Sequence, residues 1–323
     1  MIVPEYWAEA CQKCRRSGRQ MTIRRWGWSN ESQAAAQAMA DSRIALAIAQ
    51  WSAGGKVLQR EPKIPYNGAQ GLPIREEILA RHGDTVITRN SYGARCLNTP
   101  DVLFADIDFD PEKNKHLLFS LIFFVICFVA GGLVRGPIGL MMFLFAGLGT
   151  FLTLVGFLEA WRIRIPSSEK NALAKIDHFL AHHPDWALRV YRTPAGLRLM
   201  ATHRLFRPGE DEVKDFFVKV GADPLFAQMC ANQKCFRARL SAKPWRIGIT
   251  SHMKPRPGVW PVSPDRLNDR ITWVAAYERH AQNYAACQFM LAVGSGRVDL
   301  RLAEVLALHD AESRALVPGL NMG

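Results

Sequence analysis

Hydrophobic and polar positions change period several times along this chain, and each change predicts an element. Residues 6–15 read as a helix, and QMTIRRWGWS after them alternates like a strand. SNESQAAAQAMADSRIALAIAQW predicts a long Ala-rich helix, started by Ser29 or Asn30 and stopped by Gly54 and Gly55. A Pro- and Gly-rich loop, EPKIPYNGAQGLP, leads to a short helix over 74–82 and to strands over 85–90 and 94–98. Tyr92 and Gly93 form the turn between those two strands.

The next segment, VLFADIDFD, sets Asp106, Asp108 and Asp110 at every second position of an apolar run. With period two, Leu103, Ala105, Ile107 and Phe109 share one face of a strand, and Val102, Phe104, Asp106 and Asp108 share the other. Further on, SSEKNALAKIDHFLAHHP predicts a helix, WALRVYR and LRLMATHR two strands around a TPAG turn, PGEDEVKDFFVKVG a helix closed by Gly221, and KCFRARLS a strand. The order β, α, β, β, α, β is that of an α+β, ferredoxin-like or RRM-like split βαβ sheet. In its 4-1-3-2 strand order the aspartates project from the open face. Arg192 and Arg198 at the hairpin, and Arg237 and Arg239 on the fourth strand, are their expected neighbours.

Between the first strand and first helix of this core lies the most apolar part of the chain. Over residues 117–158 the one charged side chain is Arg135. Two halves, 117–134 and 138–158, flank a turn at Arg135, Gly136 and Pro137, and each is long enough as a helix to cross roughly 27–32 Å. They predict a two-helix transmembrane hairpin. Lys113, Lys115, Arg162 and Arg164 at its ends place both termini in the cytoplasm, and no secretory leader pattern is seen at the N-terminus. The chain is thus expected to be an integral membrane protein with the lipid bilayer as a partner.

Composition adds a bias. Of 323 residues, 41 are Lys or Arg and 29 Asp or Glu, and the resulting net charge of +12 favours anionic partners such as nucleotide, nucleic acid or an anionic membrane surface. Seven scattered cysteines give no disulfide framework. Cys11 and Cys14 with Cys230 and Cys235 make a zinc site conceivable, but the second spacing is wrong for a ribbon, and buried thiols are the preferred reading. No Walker A loop, HExxH, GxSxG or GxGxxG is present.

Two readings fit the acidic strand. Asp106 and Asp108 pair with arginines on a solvated face, or they hold Mg²⁺ or Mn²⁺ while arginines clamp a polyphosphate. FADID resembles the hydrophobic-D-hydrophobic-D motif of the archaeo-eukaryotic primase superfamily; TPAGLRLMATH resembles its Gly-rich hairpin ending in small-x-His, and FRARLSAKPW its late Arg-rich strand. That resemblance implies a metal-dependent nucleotidyltransferase, with Asp106 and Asp108 as metal ligands, His203 on the nucleotide phosphates, and Arg237, Arg239 and Lys243 as further nucleotide contacts. Two departures stand against it: His203 shares parity with Leu197 and Leu199, and no third acidic motif is evident.

The last third opens with KPWRIGITSHMKPRPGVWPVSP, where aromatics between cations suit either single-stranded nucleic acid or a strap packed on the domain through Trp245 and Trp260. Two helices follow, over 266–294 and 298–315, and His280 and His309 read as surface residues. The expected parts are an N-terminal α/β part over 1–100, the split core over 101–115 and 163–242, the hairpin over 116–162, and the strap with its helices over 243–323. The competing functional class is a non-catalytic membrane-tethered module that binds a partner.

Overall fold

A computed structural model describes residues 3–61, 63–64, 68–69, 72–109 and 166–323, with isolated positions between 136 and 149. The chain divides into two units, Met1–Ile107 with His178–Gly323, and Asp108–Asp177.

The chain opens with a long hairpin, β1 (Tyr6–Arg16) and β2 (Arg19–Ser29), followed by helix α1 (Gln33–Ser52). Residues 6–15 are a strand rather than the expected helix because all eleven positions pair with β2, from Tyr6 opposite Ser29 to Arg16 opposite Arg19. Ala8, Ala10 and Ile23 of the hairpin form one buried cluster with Ala36, Ala40, Ile44 and Ala47 of α1. Alanines on the helix and a glycine on the strand allow close approach: a Cβ on Gly27 would stand 2.2 Å from the Ala36 carbonyl oxygen. Ser32, three residues beyond Ser29 and two beyond Asn30, the two predicted starts, caps α1 by accepting from Ala35 N at 3.1 Å.

After the short pair β3 (Lys63–Ile64) and β4 (Gly68–Ala69) come β5 (Glu77–His82), β6 (Thr85–Arg89) and β7 (Arg95–Thr99). The short helix expected at 74–82 is thus β5, antiparallel to β6. Then follow β8 (Phe104–Asp108), α2 (Pro166–His182), β9 (Ala187–Thr193), β10 (Gly196–Ala201), α3 (Asp211–Val220), α4 (Pro224–Gln233) and β11 (Phe236–Arg239). The C-terminal part holds α5 (Leu267–Ala281), β12 (Tyr284–Ala285), β13 (Gln288–Gly294), α6 (Ala303–Ser313) and β14 (Asn321–Met322).

The fold is α+β, but the single sheet expected from the split βαβ order is two sheets. One runs β13-β9-β10-β8 and the other β11-β7-β6-β5. The strand read as the fourth of the core, β11, pairs antiparallel with β7, from Phe236 opposite Thr99 to Arg239 opposite Cys96. The stretch read as one helix over 266–294 breaks after Ala281, and its second half becomes β13, antiparallel to β9. That strand fills an edge that local periodicity did not reveal.

The membrane hairpin is also corrected. Among the described residues no helix is long and apolar enough to cross a membrane, so the transmembrane hairpin and the two-span membrane topology have no support. A span needs about 20 predominantly apolar residues; α1, itself 20 residues long, is interrupted by Gln37, Asp41 and Arg43. Residues 117–158 otherwise lie outside the described residues, apart from the isolated positions.

Candidate functional site

The predicted division of faces holds in β8 and β10. The two strands run from Leu103, whose carbonyl accepts from Ala201 N at 3.0 Å, to Asp106 beside Arg198. Arg198 stands opposite Tyr191 of β9, and Arg192 stands opposite Leu197. Phe104, Asp106, Arg198 and Tyr191 therefore share one face, and Arg192 belongs to the other.

The face is not open. His309 of α6 packs its ring 5.2 Å from Phe104 and 4.8 Å from Tyr191, covering two aromatic residues that would otherwise meet water. Arg198 is 2% exposed beneath this cover. It donates from Nε to Asp106 Oδ1 at 2.8 Å and from Nη2 to Asp106 Oδ2 at 3.0 Å. Its Nη1 donates to the Arg239 carbonyl at 2.8 Å, joining the β8 sheet to the β11 sheet. Burial alone would lower the guanidinium pKa, but the charge and hydrogen bonds of Asp106 more than offset it and raise it.

The other predicted contacts disperse. Arg237 is buried against the carboxylate of Glu76, 2% exposed, which also accepts from Thr88 Oγ1 at 2.6 Å. Arg239 turns its Nη1 to the carbonyls of Ser241 at 2.8 Å and Gly323 at 2.9 Å. Asp108 is exposed at the end of β8. His203 lies among Trp186 and Phe206, ring centroids 4.7 and 5.3 Å away, and its Nδ1 accepts from Ala187 N at 3.2 Å. Burial lowers its pKa. Asp106 is thus brought to Arg198 and not to His203, and the parity of His203 with Leu197 had signalled as much.

Among the described residues no group of three His, Cys, Asp or Glu is placed to hold a metal ion. No metal site is thus shown for the Mg²⁺ or Mn²⁺ expected at Asp106 and Asp108, and both carboxylate oxygens of Asp106 accept from Arg198. The zinc grouping fails as well, with Cys11 exposed and Cys230 and Cys235 buried.

Lys243 leads to a different surface. Its Nζ lies 5.5 Å from the ring centroid of Trp245, which is 57% exposed. Trp245 meets Tyr92, in the β6–β7 turn, edge to face at 5.2 Å and 63°. The turn is tight because Gly93 has φ of +104°, and a Cβ there would strike the Trp273 ring at 2.4 Å. Met253, 2% exposed, anchors the strap in a cluster with Trp273, Tyr277 and Ile247, while Lys254 and Arg256 remain exposed. The strap is therefore ordered, as one reading had it, but Trp245 is displayed rather than packed away.

Sequence reasoning missed one cluster outright. His309, read as a surface residue, is 0% exposed and lies between Cys287 and Asp310. The available signal was the LALHDAES segment, which places His309 and Ser313 four apart on one helical face. Comparison with protein-family models, curated proteins and solved structures returns no match, so the likeness to primases rests on the sequence motifs alone.

Proposed function

We propose that this chain is a nucleic-acid-binding module that takes a single strand across Trp245 and Tyr92, with binding rather than catalysis as its role. The observation that carries the reading is the exposed Trp245 ring, braced edge-on by Tyr92 and accompanied by Lys243. A large aromatic ring left more than half exposed offers a face on which a base can stack. Stacking of this kind contributes about 1–3 kcal/mol per base and tolerates any sequence. Lys254 and Arg256 on the same strap, and a net charge of +12, supply attraction to phosphates.

The nucleotidyltransferase reading is less well supported, because a metal-binding role for Asp106 would require its release from a buried guanidinium. The deciding experiment is fluorescence anisotropy with a labelled single-stranded oligonucleotide at low and moderate salt, repeated with the duplex of the same sequence. The reading expects single-strand preference and a loss of about 5- to 100-fold in affinity for Trp245→Ala. Equal affinity for duplex, or an unchanged affinity in the variant, would overturn it.

A further inference from the structure

Cys287 lies in the turn between β12 and β13, beneath α6. Its Sγ is 3.9 Å from His309 Nε2 and 3.5 Å from Ser313 Oγ. His309 Nδ1 is 3.0 Å from Asp310 Oδ1. Asp310 is itself fixed by Tyr191 Oη, which donates to Oδ1 at 2.8 Å, and by Arg189 Nη2, which donates to Oδ2 at 2.6 Å. The order thiol, imidazole, carboxylate is that of a nucleophile, its base and an orienting acid. With Nδ1–H directed to Asp310, Nε2 is left to receive the thiol proton.

Moving that proton changes no net charge in the buried cluster, since a thiol beside a neutral imidazole becomes a thiolate beside an imidazolium. The groups facing the pair are Asp310 and Ser313 on α6, Tyr191 and Arg189 on β9, and Arg198 on β10. Burial works to raise the Cys287 pKa, but the His309 hydrogen bond and the nearby positive charge leave it lowered. Burial works to lower that of His309, but the bonds to Asp310 and Cys287 leave it raised.

We propose that Cys287 is a hydroperoxide-reactive thiol activated by His309 and oriented through Asp310. The thiolate sulfur attacks one oxygen of the peroxide. An S–O bond forms as the O–O bond breaks, sulfur is oxidised by two electrons and the peroxide is reduced. The leaving hydroxide, or the alkoxide of an organic hydroperoxide, takes the proton from His309 Nε2 and departs as water or alcohol, leaving a sulfenic acid on Cys287 and a neutral imidazole. Cys287 and His309 are each 0% exposed, so the oxidant enters by local opening of the 11-residue α6. Leu300, 88% exposed, lies in the turn from which that helix starts.

The test exposes the folded protein to a short pulse of hydrogen peroxide, stops it with catalase, unfolds the chain in dimedone and maps the cysteine adducts by mass spectrometry. Cys287 is expected to be modified at least about tenfold faster than the exposed Cys11, and His309→Gln to slow it by about tenfold or more. Faster modification of Cys11, reaction of Cys287 only in denaturant, or an unchanged rate in the variant would each overturn the proposal. Should His309→Gln fail to fold, the wild-type pH profile decides. A rate that levels off below the usual thiol range supports the proposal, and one that climbs steadily through it overturns the proposal.

Discussion

Arg198 grips Asp106 through two parallel hydrogen bonds of 2.8 and 3.0 Å and gives its remaining arm to the carbonyl of Arg239. A buried guanidinium held in this way depends on its carboxylate far more than an exposed pair does. Asp106→Ala should therefore destabilise the protein by about 3 kcal/mol, read as a lower urea midpoint. A neutral or stabilising effect would instead mark a carboxylate held at a cost to stability, as in an active site.

Trp245→Ala separates binding from folding. The side chain is more than half exposed, so the unfolding midpoint should move by no more than about 0.5 kcal/mol. Single-strand affinity should nonetheless fall within the range given above. Lys254→Ala with Arg256→Ala should weaken binding more uniformly and flatten its salt dependence by about one to two charges.

Gly27→Val tests the close approach of β2 to α1. Its new side chain would meet the backbone of Ala36 and Ala40, at 2.2 and 2.3 Å for the first carbon alone. A loss of about 1–3 kcal/mol or more is expected, because backbone cannot yield as a flexible side chain does. Trp7, Trp26 and Trp28 lie on the same hairpin, and the Trp7 ring meets those of both Trp26 and Trp28. Tryptophan fluorescence is therefore the natural readout.

His203 predicts a pH dependence with a definite sign. Burial holds its folded-state pKa below the ordinary value, so the unfolded chain takes the proton more readily. Its contribution is complete above about pH 6.5 and declines as the pH falls through the lower, folded-state pKa. The stability difference between the wild type and His203→Gln should accordingly shrink between pH 7 and pH 5. Urea titrations at the two pH values check this, and a difference that grows would contradict it.

What could be read from the sequence was what period alone decides. The alternation in VLFADIDFD put Asp106 and Leu103 on opposite faces, and the hairpin after it brought Arg198 beside Asp106 as expected. The end of α3 at Gly221, with φ of +73°, was equally local. Partner choice was not. The FRAR strand carries nothing that tells β7 from β8, and only the assembled sheets place Arg237 against Glu76. Tyr6–Arg16 has apolar positions compatible with a helix, and its strand is imposed by pairing with β2. The Cys287 cluster joins residues 22 apart in sequence across a strand and a turn, with no spacing that marks them in advance.

The bond from Arg198 to the Arg239 carbonyl has a bearing on genetics. Because one carboxylate steadies the cation that fastens one sheet to the other, loss of activity in an Asp106 mutant would report misfolded protein before it reported lost chemistry. A mutational scan judged by phenotype alone would therefore not separate a mechanical role of this aspartate from a catalytic one.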